Sequence, residues 1–313
     1  MDAALAGLLQ VGLAAAGAPL VVGAIRTLKA RLVGRRGPSV LQPYADLRKL
    51  LGKEPVISAT TSWIFRATPW IQAATALVAA MLVPLVLTRP ALAPAGNIIL
   101  VMSLFMLATF FLALAGLDAG SAFGGMGSSR AVAVAALAEP TVILAVFALA
   151  LRARTSDLGG IVERLAAQPS LVLAPGHLLA FAAFFIVTLA ETGRLPVDNP
   201  ATHLELTMIH EAMVLEYSGP HLALVEWAGA MKLFVFLALL ANLFFPFGMP
   251  AGLAAGPLAL GLLILAGKLV VLVVVLALVE TSVAKLRLFR VPELLAGSFA
   301  LGVLSVTSAF VLP

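Results

Sequence analysis

Long apolar segments recur along the whole chain and constrain its fold more than any other feature. A helix rises 1.5 Å per residue, so about 20 apolar residues cross a hydrocarbon core of roughly 30 Å. Within lipid, only a helix or a closed barrel satisfies all of its backbone hydrogen bonds. We therefore predict an all-α polytopic membrane protein with about eight transmembrane helices. They are expected at about residues 3–25, 67–88, 97–117, 130–151, 175–192, 220–245, 256–281 and 293–312.

The composition agrees with a lipid environment. Of 313 residues, 62% are hydrophobic and 11% are charged, against about 25% charged residues in soluble domains. So few charged side chains cannot cover a globule of this size, and the lipid bilayer is therefore an expected partner. No soluble linker or low-complexity tract interrupts the sequence. We expect residues 1–313 to form a single membrane domain with no nucleic-acid partner.

Lysine and arginine are unevenly divided between alternate connections. One set of connections carries 14 of them, nine within residues 26–66, whereas the other set carries four. Cytoplasmic loops are rich in these residues, so we predict that 26–66 and 192–219 face the cytoplasm. Both termini would then lie on the outer side of the cell inner membrane. The basic 26–66 connection could contact anionic lipid, dock a cytoplasmic protein, or do both.

The chain contains no cysteine. Iron–sulfur clusters are held by cysteine thiolates, and structural zinc sites usually need thiolates or several histidines. We therefore predict that this chain binds no cofactor and no metal, and that any redox centre belongs to a partner subunit. The glycine-rich stretch 118–129 lacks the lysine and the spacing of a phosphate-binding loop. We expect a flexible cytoplasmic loop there.

Two connections have the pattern of amphipathic helices that lie along the membrane surface. Residues 38–53 place apolar side chains, including Tyr44, on one face, with charged residues elsewhere. Residues 156–168 suggest a second such helix on the opposite side of the membrane. The charged and aromatic residues of the first connection are candidates for docking a partner: Arg35, Arg36, Tyr44, Asp46, Arg48 and Lys49.

Residues 191–217 concentrate ionisable side chains between two apolar segments. Five of the 15 acidic residues and two of the four histidines lie in this stretch. Ionisable groups at a membrane boundary are costly and often line ion or substrate routes. Asparagine and proline at 199–200 are typical of a helix start. We therefore predict a helix over residues 200–217.

The predicted 200–217 helix has two polar faces. At 100° per residue, Glu205 and Glu216 fall within about 20° of each other, and His203 and His210 share a second face. A histidine followed by glutamate at position 210 resembles the start of a zinc-protease motif. That motif needs a second histidine four residues later, where this chain has Val214. The sequence thus excludes a metalloprotease of this type.

Apart from Arg130 and Glu293, each at the first position of a span, six charged residues lie within the predicted spans: Glu139, Glu191, Glu226, Lys232, Lys268 and Glu280. Each charge near the centre of a membrane costs about 2.5–3.5 kcal/mol on insertion scales, so it needs a partner or a hydrated cavity. Glu139 is about nine residues into its span, roughly 13 Å deep, and Pro140 is expected to kink the helix. Proton or ion handling would explain these residues, and so would buried ion pairs or side chains reaching a span end.

The acidic stretch resembles a known family of membrane subunits. The run from Glu191 to Asp198, with the Glu-Leu pair at 205 and the Glu-Tyr pair at 216, resembles the central loop of the complex I subunit that joins its hydrophilic and membrane arms. The longer run 196–212 is more similar to the membrane subunit of group 4 nickel-iron hydrogenases, of the formate hydrogenlyase and hydrogenase-4 type. Residues 34–46 and Lys49 resemble the first cytoplasmic loop of the same family.

This resemblance implies a non-catalytic anchor that couples electron transfer to movement of protons or sodium ions. Its partners would be cytoplasmic hydrogenase-like large and small subunits, which carry the nickel-iron centre and iron–sulfur clusters, and antiporter-like membrane subunits. The candidate ion path comprises Glu139, Glu191, Asp198, Glu205, Glu211, Glu216, Glu226, Lys232, Lys268 and Glu280. Arg194, His203 and His210 join the docking candidates.

Alternatives to ion coupling remain at this point. The chain could be a passive anchor, with its charges paired internally, or a quinone-reducing subunit of the complex I type. Further acidic residues would follow Asp198 in the quinone-reducing subunits, whereas this chain has Asn199 to His203, so we predict that turnover does not need quinone. A stand-alone transporter is disfavoured because no inverted repeat is evident.

Overall fold

The computed structural model describes residues 2–89, 92, 95–199, 208–250 and 252–311, with side chains described from residue 6 onward. The described chain is predominantly helical, and the prediction of an all-α membrane protein is confirmed. A short 3-10 turn over Leu288–Arg290 leads into the last helix. The helices are α1 (Asp2–Leu32), α2 (Gln42–Leu51), α3 (Trp63–Leu82), α4 (Ile98–Asp118), α5 (Ala122–Ala153), α6 (Leu158–Ala167), α7 (Pro169–Val172), α8 (Pro175–Glu191), α9 (His210–Val214), α10 (Gly219–Phe244), α11 (Ala255–Ser282) and α12 (Val291–Val311).

Each of the eight predicted apolar segments corresponds to one of the longer helices. Within the described residues, six helices are long and apolar enough to cross a membrane: α1, α4, α5, α10, α11 and α12. Helix α8 is a shorter apolar helix of 17 residues, and α3 has 20 residues. The chain therefore has the helices of a multi-pass membrane protein.

Helix α3 ends earlier than its hydropathy suggests. The apolar segment was predicted to run to residue 88, but the helix ends at Leu82 and Val83 is extended, with ψ of 138°. Pro84 explains the end, because a residue before proline is disfavoured in the helical conformation. Residues 83–88 are buried although they are not helical. Their backbone must therefore find hydrogen-bond partners elsewhere in the protein.

The expectation of a flexible loop at 118–129 is wrong. Helix α5 begins at Ala122, because the Oγ of Ser121 accepts a hydrogen bond from the Gly124 amide at 3.1 Å. The glycines are needed for close helix packing. A Cβ atom on Gly124 would stand 2.2 Å from the carbonyl oxygen of Gly116, and one on Gly127 would stand 2.8 Å from the Cβ of Ala212.

Both connections that were predicted to form amphipathic helices are helical. The 38–53 pattern corresponds to α2, where Tyr44 donates a hydrogen bond to the carbonyl of Ala16 and thereby attaches α2 to α1. Burial raises the pKa of Tyr44. The 156–168 pattern corresponds to α6, which Asp157 caps by accepting a hydrogen bond from the Gly160 amide at 2.6 Å.

Helix α10 lies at the centre of the bundle. Every residue from Leu233 to Phe244 is buried, whereas much of α11 and α12 is exposed at the periphery. Successive long helices cross in opposite directions, so their connections alternate between two ends of the bundle. We name these the α2 end, which includes residues 192–218, and the α6 end, where α5, α10 and α12 finish and α8 begins.

Candidate ion-coupling site

An ion pair joins the end of α8 to the middle of the bundle. The Nζ of Lys232 on α10 lies 2.7 Å from the Oε2 of Glu191, the last residue of α8, and the Glu191 side chain is only 3% exposed. The ammonium group also faces the rings of Phe105 and Phe236, at 5.6 and 6.0 Å from their centroids. Such contacts stabilise a cation that has been removed from water. Both residues were predicted from the sequence as parts of the ion path.

A second buried carboxylate connects three separate segments. Glu280 near the end of α11 accepts a hydrogen bond at 3.1 Å from the Nη1 of Arg194, which follows α8, and forms a salt bridge with Lys29 of α1. Its side chain is 1% exposed. Two cations on one buried carboxylate offset the cost of burying it. The bridge fixes the 192–199 loop against α1 and α11.

Asp198 joins the two described parts of the acidic stretch 191–217, which we call the acidic loop, and links them to the segment after α11. Its carboxylate lies 2.7 Å from the Nζ of Lys285, beyond α11. It also accepts hydrogen bonds from the backbone amides of Ile209 and His210, at 3.2 and 3.1 Å. One side chain therefore connects residue 198 to the start of α9 and to the segment after α11. The predicted docking residue His210 lies directly beside this charge.

Glu139 lies near the middle of α5 and is buried, with 7% of its surface exposed. It is within electrostatic range of Glu191 and Lys232. Helix α5 begins before the predicted span and continues through Pro140. Glu139 is therefore about 26 Å along the helix from its first residue, at 1.5 Å per residue.

A cavity of about 710 Å³ opens between α1, α2, α8 and α10 at the α2 end. Its volume falls within the range of ligand pockets, about 300–1,000 Å³. Apolar side chains such as Val22 and Leu50 share its wall with the charged groups described above. The cavity thus gives the buried ion pairs a route toward solvent. Its ionisable lining residues are Arg26, Lys29, Asp46, Glu191, Arg194, Asp198, His210, Glu211, Glu226 and Lys232.

The predicted 200–217 helix is shorter where the structure describes it. Helix α9 covers only His210–Val214, and the predicted residues His203 and Glu205 lie outside the described residues. The chain leaves the helix because Tyr217 is buried against Phe65, with ring centroids 4.0 Å apart and its hydroxyl donating to the Phe65 carbonyl at 2.9 Å. This burial raises the pKa of Tyr217. Glu216, one residue earlier, is exposed.

The other predicted residues divide between the site and its surroundings. Glu226 and Glu211 line the cavity, and so does Asp46 of α2. The remaining charged docking candidates are exposed at the α2 end: Arg35, Arg36, Arg48 and Lys49. Lys268 is elsewhere, bonded to the carbonyl of Phe245 at 2.5 Å and to the Oδ1 of Asn242 at 3.4 Å.

Sequence reasoning missed two partners of the buried carboxylates. Lys29 and Lys285 were counted only as basic residues of cytoplasmic connections, but they pair with Glu280 and Asp198. A signal for Lys29 was present, because a helix that passes residue 25 carries the lysine back toward the bundle. No comparable signal exists for Lys285, since residues 283–287 are not helical and only the folded chain brings them to Asp198.

Comparison with protein families decides the relationship of this chain to known proteins. The family model described as NADH dehydrogenase matches residues 5–310. The chain belongs to this family. The match covers nearly all of the described helices and is not confined to the acidic stretch 191–217.

Individual relatives agree with this assignment. The chain is 36% identical to formate hydrogenlyase subunit 4 of Escherichia coli K12, over 93% of this chain and 94% of that protein. It is 33% identical to hydrogenase-4 component C of the same organism, over 92% and 90%. It is 32% identical to an NADH-quinone oxidoreductase subunit of Syntrophotalea carbinolica, over 72% of each. These matches confirm the resemblance found from the acidic loop.

The fold is also present in a solved structure. A chain of the membrane-bound sulfane sulfur reductase, an archaeal respiratory membrane complex, superposes with a TM-score of 0.85 and 23% identity. The superposition covers 97% of this chain and 98% of that one. The helix arrangement described here is therefore one that a solved membrane protein adopts.

Proposed function

We propose that this chain is the membrane anchor and ion-coupling subunit of a multisubunit redox complex of the group 4 hydrogenase and complex I type. It docks a cytoplasmic module that carries iron–sulfur clusters and a nickel-iron centre, together with antiporter-like membrane subunits. Electron transfer in that module is linked to translocation of protons or sodium ions. The observation that carries this proposal is the set of buried ion pairs around the cavity at the α2 end.

The ion pairs support coupling because they join the acidic loop to buried charge. Asp198 connects the loop to Lys285, and the neighbouring Arg194 shares Glu280 with Lys29 of α1. A movement of the loop would change the partners of both carboxylates. In a protein interior, where the dielectric constant is far below that of water, exchanging a partner changes the energy of a charge strongly. Docking of a redox module on this loop would therefore change the energies of the buried charges.

Glu139 and Glu191 form the inner part of the proposed ion path. Glu191 reaches the cavity, and Glu139 lies deeper, within electrostatic range of it. Lys232 pairs with Glu191 and also faces the aromatic rings of Phe105 and Phe236. A cation entering from the cavity would compete with Lys232 for Glu191. The path continues toward the module through the acidic loop, including Glu205 and Glu216.

The basic residues supply the docking face and the orientation. Nine lysines and arginines lie within residues 26–66, and those of the α1–α2 connection and α2 are exposed. The positive-inside rule assigns this end to the cytoplasm and both termini to the outer side of the inner membrane. Crosslinking of the native complex at low salt should yield products concentrated at the α2 end. Isolation of the chain as a stable monomer under those conditions would contradict the docking proposal.

The experiment for the coupling role replaces Glu191 by glutamine in the native complex. Glutamine keeps the shape and hydrogen-bonding capacity but removes the charge. We expect the complex to assemble, with turnover blocked or no longer coupled to ion movement. The control is Glu293→Gln, because Glu293 is an exposed carboxylate at the start of α12. This variant should leave turnover and ion movement unchanged. A Glu191→Gln complex with full turnover and undiminished ion movement would favour a passive anchor.

A second candidate function is quinone reduction, and the cavity favours it. A volume of about 710 Å³ with apolar and charged walls suits a quinone head group. Residues 199–203 argue against quinone reduction, because they lack the acidic residues expected after Asp198 in quinone-reducing subunits. We therefore expect turnover with a soluble electron acceptor and no added quinone. Quinone-dependent activity that quinone-site inhibitors abolish would reverse this choice.

A further inference from the structure

The α6 end of the bundle contains an arginine with no acidic partner among the described residues. Arg152 lies in the last turn of α5, and in the described part of the chain its side chain bonds only the Oγ of Ser308 on α12, from Nη2 at 3.2 Å. Its Nε is buried with no hydrogen-bond partner among the described groups. A guanidinium group has five N–H donors and no acceptor. A group rich in acceptor oxygens would satisfy it.

Helix α8 is shaped to admit Arg152 at its N-terminal turn. A Cβ on Gly176 would stand 2.6 Å from the Nη2 of Arg152 and 1.9 Å from the Oγ of Ser308, so only glycine leaves room for both groups. Ser305 holds the two helices together by donating to the Gly176 carbonyl at 2.6 Å. The start of a helix carries partial positive charge. Arg152 and this helix start therefore add to each other's positive potential.

A second unpartnered nitrogen lies beside the same turn. His177 is 2% exposed, and its Nε2 is 3.0 Å from the carbonyl oxygen of Phe244. Its Nδ1 is buried without a partner among the described groups, and the ring is within electrostatic range of Arg152. Because the Phe244 carbonyl accepts from Nε2–H, Nδ1 of the neutral ring is an acceptor and suits ordered water. The Nε of Arg152 is the orphaned donor that indicates a ligand with acceptor oxygens.

The surroundings of Arg152 suit a lipid better than a soluble anion. Its side chain is partly exposed, and Arg154 follows it on the surface. Large apolar side chains of the α8 and α12 ends stand exposed in the same region, with exposures of 81% for Leu173, 72% for Phe310 and 75% for Val311. A phospholipid offers a phosphate for the cations and acyl chains for these side chains, whereas a soluble anion offers only the first.

We propose that Arg152, which the Oγ of Ser308 holds in place beside the first turn of α8, binds the phosphate of an anionic phospholipid at the α6 end of the bundle. The lipid connects one end of each of α5, α8 and α12, three helices that pack against one another. The proposal is independent of the ion-coupling role, because none of these groups belongs to the ion-pair network at the α2 end.

The test uses the native complex in lipid nanodiscs that contain either phosphatidylcholine alone or phosphatidylcholine with phosphatidylglycerol. We expect phosphatidylglycerol to raise the unfolding temperature of the wild-type complex and to be retained in native mass spectrometry. Arg152→Gln should weaken that retention about tenfold or more, as expected for lost hydrogen bonds to a charged group. Arg89→Gln is the matched control, because Arg89 is an exposed cation at the same end that already pairs with Glu163.

Each other outcome decides the proposal as well. The proposal would be overturned if the wild-type complex had the same unfolding temperature in both nanodiscs and retained no phosphatidylglycerol. It would also be overturned if Arg89→Gln weakened retention as much as Arg152→Gln. Inorganic phosphate in phosphatidylcholine nanodiscs should have no effect; if it reproduces the stabilisation, the ligand is free phosphate and the lipid assignment is wrong. If Arg152→Gln fails to assemble, Ser308→Ala keeps the charge and should still weaken retention severalfold, whereas wild-type retention in that variant would contradict the site.

Discussion

The two ends of the bundle treat their buried cations differently. At the α2 end, Lys29, Arg194 and Lys232 contact carboxylates. At the α6 end, Lys268 and Arg152 contact carbonyl, amide and hydroxyl groups within the described part of the chain. Paired charges depend strongly on one another, so a change at one site reaches the next. Lys268, on a neutral backbone acceptor, instead holds the chain in place, and this contrast makes the α2 end the part of the molecule better suited to the proposed coupling.

At the α6 end, side-chain hydrogen bonds stabilise the irregular segment that follows α3. The Nδ2 of Asn242 donates to the carbonyls of Pro84 and Leu85, each at 2.9 Å. Lys268 bonds the carbonyl of Phe245 just beyond α10, where helices leave carbonyl groups unpaired. Lys268 therefore completes the end of a helix. Lys268 was assigned to the ion path from the sequence. Stabilisation of this helix end is an alternative explanation for the lysine.

The largest effect is expected from Glu280→Leu. The change leaves Lys29 and Arg194 buried together without their shared carboxylate. Removing one partner of a buried pair costs about 3–5 kcal/mol, so the complex should lose most of its assembled yield and unfold at lower temperature. Recovery of assembled complex from membranes measures this. A yield equal to that of wild type would mean that the α2 end does not depend on its ion pairs.

A smaller effect is expected from Asn242→Leu. The variant leaves the carbonyls of Pro84 and Leu85 without their buried donor, and an unsatisfied buried polar group costs about 1–3 kcal/mol. Thermal stability of the complex should fall, while ion movement per electron stays unchanged in whatever complex assembles. A variant with fewer ions moved per electron but unchanged thermal stability would contradict the structural role of the α6 end.

Lys268→Met tests directly whether the α6 end is structural. Methionine keeps the length and apolar contacts of the lysine but removes its hydrogen bonds to Phe245 and Asn242. We expect a stability loss of about 1 kcal/mol, typical of a lost hydrogen bond, with turnover and ion movement retained. Ion movement in reconstituted vesicles is the decisive measurement. Its loss from a fully assembled variant would place Lys268 on the ion path.

The smallest effect is expected at the exposed pair of Arg89 and Glu163. The hydrogen bond from Arg89 lowers the pKa of the Glu163 carboxyl group. A lowered pKa in the folded state stabilises the protein at neutral pH, and that contribution is lost as the pH falls through the lowered pKa. Glu163→Gln should change stability by less than about 1 kcal/mol. Unfolding temperatures of wild type and variant, compared between neutral and acid pH, should converge at acid pH; a constant gap would contradict this reasoning.

The sequence predicted the helices well because the hydrophobic requirement of a membrane is local. Apolar length alone located α4, α8 and α10 to within a few residues. It misplaced the end of α3, where Pro84 stops the helix although the buried chain stays apolar, and the start of α5, where glycines that favour turns instead permit close packing against α4 and α9.

The site was only partly predictable for a different reason. Isolated charges in apolar segments identified Glu139, Glu191, Lys232 and Glu280, because each is expensive without a partner. Which groups pair was not predictable, since pairs such as Lys285 with Asp198 join residues far apart in sequence. Separating Lys268 from the others required the fold, which shows that its acceptors are backbone and amide oxygens.

The central claim is that Glu139 and Glu191 carry ions between the cavity and the middle of the membrane. The most direct test measures ions translocated per electron in vesicles that contain the intact complex with Glu139→Gln. We predict an assembled complex whose ratio falls below that of wild type, because the side chain at position 139 can no longer accept a cation. An unchanged ratio at full turnover would contradict the account and would make this chain a passive anchor.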